Sequence, residues 1–392
     1  MRQIDCSATS GGPKLGGKLR QYRIALAIGT RPEAIKLAPV ARALSDMGEI
    51  PLLCLTGQHP GLELSEHGLD AFEHFGLDCP GQPDPMLHAE WVRASLCRQM
   101  PEPAPRLIVV HGDTSSALGA ALAARDRQIA LAHVEAGLRS HDLSQPWPEE
   151  ENRVRIDAMA DILFAPTVAN ALNLRTERVD GDVFITGNSG IDALAGIVGA
   201  LPRQPRRRWP MRTGFRLLVT CHRRENWNGG LDRLITALIL LAGDGVLSDV
   251  LMPPNPGVTE QLIHHLARKR GIRLLPPLSH RATIEAMCRA DLVLSDSGGM
   301  QEEARALGVP LLVLREKTER PEALTEGTVQ LVGTDADRIV ATVRRLRRDR
   351  AALRAMGTAS LPFGDGRASP RIAFHCIEFV DALDSGSLSR RA

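Results

Sequence analysis

From Tyr22 onward the chain alternates short, uninterrupted apolar runs with longer stretches whose apolar residues recur at helical spacing. The runs predict strands at Arg23–Ile28, Pro51–Leu55, Leu107–Val110, Ile129–Val134, Ile162–Ala165 and Val183–Thr186. A second round predicts strands at Phe215–Thr220, Val250–Met252, Ile272–Leu275, Leu292–Leu294, Pro310–Leu314 and Val329–Val332. Segments such as Ala34–Leu44 and Leu231–Leu241 carry the helical period between them. A strand that is apolar at every position is buried on both faces, so these runs predict parallel sheets covered by helices. Two rounds predict an α/β chain of two doubly wound domains of similar size, facing each other across a cleft. The expected boundary lies near Gly187–Gly190, with a Pro/Arg-rich surface stretch at Leu201–Met211 soon after.

The length of 392 residues agrees with two domains. The first 21 residues lack an apolar core, so they read as a disordered extension and not as a secretory signal. A net charge of +2 and 3% aromatic residues argue against a nucleic-acid partner. No apolar run spans a bilayer, which argues against a membrane partner. Seven widely spaced cysteines with no C-x-x-C disfavour a disulfide framework and a structural zinc site, and suit a reducing cytoplasm. Gly12–Lys18 resembles the start of a phosphate loop, but Leu19 stands where Ser or Thr is needed and no strand precedes it. No G-x-G-x-x-G follows a strand and no H-E-x-x-H occurs, so neither a dinucleotide cofactor nor a metal is signalled.

The chemistry sits immediately after the predicted strands, where ligands bind in such sheets. Gly29-Thr30-Arg31-Pro32-Glu33-Ala34-Ile35-Lys36 places Arg31 at a strand end and Lys36 on the helix face of Glu33. His111-Gly112-Asp113-Thr114 follows another strand, and Asp113 reads either as a site residue or as a helix cap. His133-Val134-Glu135-Ala136-Gly137-Leu138-Arg139 carries Glu135 at a third strand end. Pro146-Trp147-Pro148-Glu149 delivers carboxylates to a helix start, where the helix dipole also favours acids. The second half adds His222-Arg223-Arg224-Glu225-Asn226, Asp296-Ser297-Gly298-Gly299-Met300-Gln301-Glu302-Glu303 and Lys317-Thr318-Glu319-Arg320-Pro321-Glu322. The Ser297–Gly299 turn resembles a phosphate cradle at a helix start. Placed cations with a glycine turn imply a diphosphate; Asp113, Glu135 and Glu149 imply proton transfer.

The order and wording of these clusters, together with Phe363-Gly364-Asp365-Gly366, resemble the non-hydrolysing UDP-N-acetylglucosamine 2-epimerases from about Tyr22 to about Ile372. The resemblance implies a glycosyltransferase-B type fold of two Rossmann-like domains, at 22–187 and 188–365, with a final helix at 366–384 packing back on the first. It implies a homodimer, a UDP-sugar substrate and no cofactor. It implies elimination of UDP to a 2-acetamidoglucal and re-addition with the other C2 configuration. By matching motifs Asp113, Glu135 and Glu149 would be the acid–base carboxylates. His222 and Arg31 would hold the diphosphate, with Lys36 nearby. Ser297, Gly298 and Gly299 would bind phosphate, Glu303 ribose, and Arg153 and Arg320 would line the sugar side.

Three departures stand out. Pro253 replaces a histidine of the family's His-Pro-Asn-Pro, and His280 and Thr283 stand where aromatic residues approach the base. Pro60-Gly61-Leu62 replaces polar residues of an allosteric region after Gln58-His59. The last predicts hyperbolic initial rates without activation by substrate. The alternatives are the same inversion on another UDP-2-acetamido sugar such as a diacetamido uronate, a retaining glycosyltransferase, and a nucleotide-sugar binding protein without activity.

Overall fold

The computed structural model describes residues 21–199, 214–221, 223, 226, 229–324 and 327–387. The expected extension up to residue 20, the stretch Leu201–Met211 and His222 lie outside the described residues. The chain divides into two compact units, one of residues 1–193 with 364–392 and the other of Leu194–Phe363.

The first unit carries strands β1 (Ile24–Ile28), β2 (Leu52–Leu55), β3 (His74–Gly76), β4 (Leu107–His111), β5 (Ala130–Val134), β6 (Ile162–Ala165) and β7 (Asp182–Ile185). Its helices are α1 (Arg31–Asp46), α2 (Pro85–Gln99), α3 (Ser115–Asp126), α4 (Glu149–Met159), α5 (Val168–Glu177) and α6 (Ser189–Val198), which runs across the division. All strands are parallel, in the order β3-β2-β1-β4-β5-β6-β7. Strands β1, β4, β5 and β6 are buried at every position, which is why their sequences are apolar apart from His111 and His133. β3 is absent from the sequence expectation. It is a three-residue edge strand with one buried side chain, Phe75, so it has no apolar run to betray it.

The second unit carries β8 (Phe215–Thr220), β9 (Val246–Leu251), β10 (Ile272–Leu275), β11 (Leu292–Ser295), β12 (Leu311–Val313) and β13 (Val329–Leu331). Its helices are α7 (Gly230–Gly243), α8 (Pro256–Leu266), α9 (His280–Arg289), α10 (Gly298–Leu307), α11 (Pro321–Leu324), α12 (Ala336–Arg348) and α13 (Arg350–Met356). The parallel order is β10-β9-β8-β11-β12-β13. β9 starts earlier than its apolar run suggests, because Ser248 and Asp249 interrupt that run without ending the strand.

The last helix, α14 (Ala368–Asp384), belongs to the first unit. Its apolar face, including Ile372, Cys376 and Val380, joins Leu37, Val40 and Leu44 of α1 in one core. Arg23 Nη1 reaches Asp381 at 2.6 Å, and Asp192 accepts from Ser369 N at 2.7 Å at the helix start. In each sheet the order reverses once, between β1 and β4 and between β8 and β11. Those reversals open the crevices where ligands sit in doubly wound sheets.

Candidate active site

At the first reversal, Thr30 caps α1 and Glu33 closes a capping box. Glu33 is buried and accepts from Gly29 N and Thr30 N, each at 2.7 Å, and from Thr114 Oγ1 at 2.5 Å. Burial pushes its carboxyl above the usual range, against those hydrogen bonds. The Glu33 side chain thus folds back onto the backbone. Lys36 reaches across 99 positions to Glu135, with Nζ 2.5 Å from Oε2 and both groups buried. The His111 Nε2 lies 2.8 Å from the same oxygen. Burial holds the His111 pKa below its ordinary value, against the pull of Glu135. Arg31 lies at the start of α1, where its backbone N–H donates to His59 Nδ1 at 3.2 Å and its guanidinium is 3.9 Å from Glu66.

Glu135 takes a left-handed backbone with φ of 72°, a conformation that costs energy in any residue with a Cβ. The turn is held because Glu135 N and Ala136 N both donate to Phe164 O at 3.1 Å. Gly137 follows at φ 81°, where a Cβ would collide with the Asn170 carbonyl. This explains the Glu-Ala-Gly wording in local terms.

Asp113 follows Gly112, itself at φ 66°. It is not the cap of α3; Thr114 is, with its hydroxyl accepting from Ala117 N at 3.0 Å. The Asp113 side chain remains about a quarter exposed and is gripped by the buried Arg153 through Nε at 3.1 Å and through Nη2. Arg153 Nη1 also holds Glu150 at 2.6 Å, and Asn152 Nδ2 donates to Asp113 O at 2.9 Å. Glu149 opens α4 and is half-buried. Its neighbour Glu150 turns the other way, accepting from Ser140 N at 2.8 Å and His141 N at 3.1 Å. Of the three predicted carboxylates, Asp113 and Glu135 thus follow the adjacent strands β4 and β5, each against its own cation.

At the second reversal, Ser297 caps α10 and its N–H donates to Ser295 Oγ at 3.0 Å. The buried Asp296 accepts from Arg223 N at 2.9 Å and Asn226 Nδ2 at 3.0 Å, which ties the turn after β8 to the turn after β11. Gly298 and Gly299 differ. A Cβ on Gly298 would stand 2.5 Å from Arg320 Nη1, whereas one on Gly299 would meet nothing within 4 Å. Arg320 is buried, with Nε 2.5 Å from Glu302 and Nη1 on Glu319. Glu319 also holds Arg315 at 2.7 Å. Glu303 meets His280 Nε2 through Oε1 at 2.6 Å.

Sequence reasoning missed Asp157, which holds the turn after Glu135; its only signal is an acid in the otherwise apolar stretch Ile156-Asp157-Ala158-Met159. Asn226, Asp296 and Glu319 stand inside the quoted motifs, but nothing in the sequence marks them as the groups that hold the turns. Among the described residues no cluster of three or more His, Cys, Asp or Glu is arranged to hold a metal ion. Among them also, no helix is long and apolar enough to cross a membrane.

Comparison with known proteins matches this geometry to one group. The family model described as UDP-N-acetylglucosamine 2-epimerase matches residues 49–376. The UDP-N-acetylglucosamine 2-epimerase of Escherichia coli K12 is 38% identical over 384 residues, covering 94% of this chain and 100% of that one. The enzyme of that name from Yersinia pestis is 40% identical over 367 residues, covering 89% of this chain and 97% of its own. The crystal structure of the Neisseria meningitidis UDP-GlcNAc 2-epimerase bound to UDP-GlcNAc is similar with a TM-score of 0.82 and 32% identity, over 91% of this chain and 99% of that one. The two parallel α/β sheets have the glycosyltransferase-B type fold of these relatives, and the chain belongs to the UDP-N-acetylglucosamine 2-epimerase family.

Proposed function

We propose that the chain interconverts UDP-N-acetylglucosamine and UDP-N-acetylmannosamine by removing and re-adding UDP. The C2 hydrogen has no adjacent carbonyl to acidify it, so its removal must be coupled to departure of the group on C1. One carboxylate takes the C2 proton, the C1–oxygen bond breaks toward UDP, and a C1=C2 double bond forms in a 2-acetamidoglucal. In return, a proton reaches C2 from the opposite face while a UDP phosphate oxygen re-forms the bond to C1. Nothing is oxidised or reduced, and UDP is recovered in the product.

The observation that carries this reading is the pair of carboxylates after β4 and β5, each held by a different cation. An ammonium 2.5 Å from Glu135 stabilises the charged carboxylate, as a base requires. We assign Lys36 to that task instead of to the diphosphate. Arg153 likewise orients Asp113, and Glu149 is the third member of the set. Arg31, His222, Ser297 and Gly299 are assigned to the diphosphate and Glu303 to ribose. Gly298 makes room for Arg320, whose role becomes the bracing of the cradle. A homodimer and a cytoplasmic location belong to the same proposal; none of the described cysteines is in a disulfide, which agrees with the location.

Incubation with UDP-N-acetylglucosamine in D2O, followed by NMR, tests the activity. The expected result is a manno product carrying deuterium at C2. Unchanged substrate, with turnover of another UDP-2-acetamido sugar, would replace the substrate while keeping the chemistry.

A further inference from the structure

His133 is on β5, two residues before Glu135, and is fully buried. Its Nδ1 lies 2.6 Å from Asp157 Oδ1 and its Nε2 lies 2.8 Å from the carbonyl oxygen of Gly112. A backbone carbonyl can only accept. A carboxylate that also receives Gly137 N at 3.1 Å and Arg139 Nη2 at 2.8 Å is an acceptor too. A neutral imidazole carries one N–H and could satisfy only one of these two acceptors, leaving a ring nitrogen and an acceptor oxygen with lone pairs face to face. Two N–H groups satisfy both.

The position of this ring matters because of what its partners are. Gly112 directly precedes Asp113, and its N–H donates to Val134 O at 3.0 Å, so it joins β4 to the residue before Glu135. Asp157, on α4, accepts from the turn just after Glu135. One buried pair therefore spans the Asp113 turn and the Glu135 turn. The other charged or titratable groups around it are Arg139, which pairs with Asp157 and Glu177, and His111 on β4, whose pKa the His133 charge helps to lower.

We infer that His133 is a permanently charged imidazolium, clamped between Asp157 and the Gly112 carbonyl, that acts as a positioning residue for both proton-transfer carboxylates. This rests on the proposed epimerase reading for its catalytic consequence, but not for its charge state. Asp157 compensates the charge and fixes the ring, so the His133–Asp157 pair adds a side-chain tie between two turns otherwise joined by the Gly112 N to Val134 O bond.

The test has two arms on the full chain. Nitrogen-15 NMR of the wild type, with His133 assigned through its contact to Gly112, should find both ring nitrogens protonated at neutral and mildly alkaline pH. A ring with one unprotonated nitrogen would overturn the inference. His133→Gln and Asp157→Asn should lower kcat and C2 exchange in step, by roughly ten- to a hundred-fold, while KM and the Kd for UDP change less than about twofold. The second variant keeps an acceptor for Nδ1 but removes the compensating charge, so it should also return the ring to one proton. A folded variant with unchanged kcat would overturn the positioning role. If the wild type shows no exchange with any UDP-2-acetamido sugar, the proposed function fails and the NMR result still decides the charge state.

Discussion

The two crevices are built on the same strand reversal, yet they arrange charge differently. In the first unit the carboxylates Asp113 and Glu135 are the ends of networks whose cations, Arg153 and Lys36, come from helices behind them. In the second unit both partners of each pair are enclosed, Arg320 with Glu302 and Glu319, and Arg315 with Glu319, whereas Asp113 in the first stays about a quarter exposed. Among the described residues, the turn after β11 offers backbone and hydroxyl at Ser297 and Gly299, with Glu303 one turn on. The contrast teaches that a cation in a motif need not face the ligand. In this chain Lys36 and Arg320 are better understood by the acids they hold. On the proposed function, the first crevice moves the proton and the second receives the diphosphate.

The comparison breaks most sharply at Glu135. Glu135→Gln keeps the shape and removes the basicity, and it is expected to reduce turnover by roughly 10²–10⁴-fold while UDP still binds, measured by steady-state rates and calorimetry. Lys36→Met is next. It leaves Glu135 buried without its ammonium, with an expected loss of about 3–5 kcal/mol in urea unfolding and a parallel loss of rate. If Lys36 acted only on the diphosphate, stability would hold and UDP affinity alone would fall.

In the second unit the two glycines should separate. Gly298→Ala pushes on the Arg320 guanidinium and is expected to cost about 1–3 kcal/mol of stability. Gly299→Ala meets open space, so stability should change by no more than about 0.5 kcal/mol while the Kd for UDP rises. Equal stability losses would mean that Gly299 is also a packing position.

The smallest effect is one of pH. Burial depresses the folded-state pKa of His111, and also those of His59 and His88. As the pH falls the unfolded chain therefore takes up these protons first. The stability present above the ordinary histidine pKa, about 6.5, is lost as the pH falls toward the depressed folded values. Thermal melts from neutral to mildly acidic pH should show that decline, and His111→Gln should flatten it.

The sheets were legible in the sequence because parallel strands buried on both faces are continuously apolar. β3 was not, since an edge strand with Phe75 alone inside has no pattern to read. The positions of Asp113 and Glu135 after β4 and β5, and of Glu149 at the start of α4, were legible because each stands in a long, specific wording. Their partners were not. Lys36 and Glu135 are 99 positions apart, so nothing local in the sequence joins them. The packing demand on Gly298 was not legible for a related reason: the atom nearest its missing side chain comes from Arg320, 22 residues away by numbering (320 − 298).

The central claim is that the bond between C1 and the diphosphate oxygen breaks during each inversion. UDP-N-acetylglucosamine labelled with oxygen-18 in that bridging position tests it directly. The account predicts that phosphorus NMR will show the label spreading into non-bridging positions of the β-phosphate as C2 inverts. Inversion at C2 with the label fixed in the bridge would contradict it.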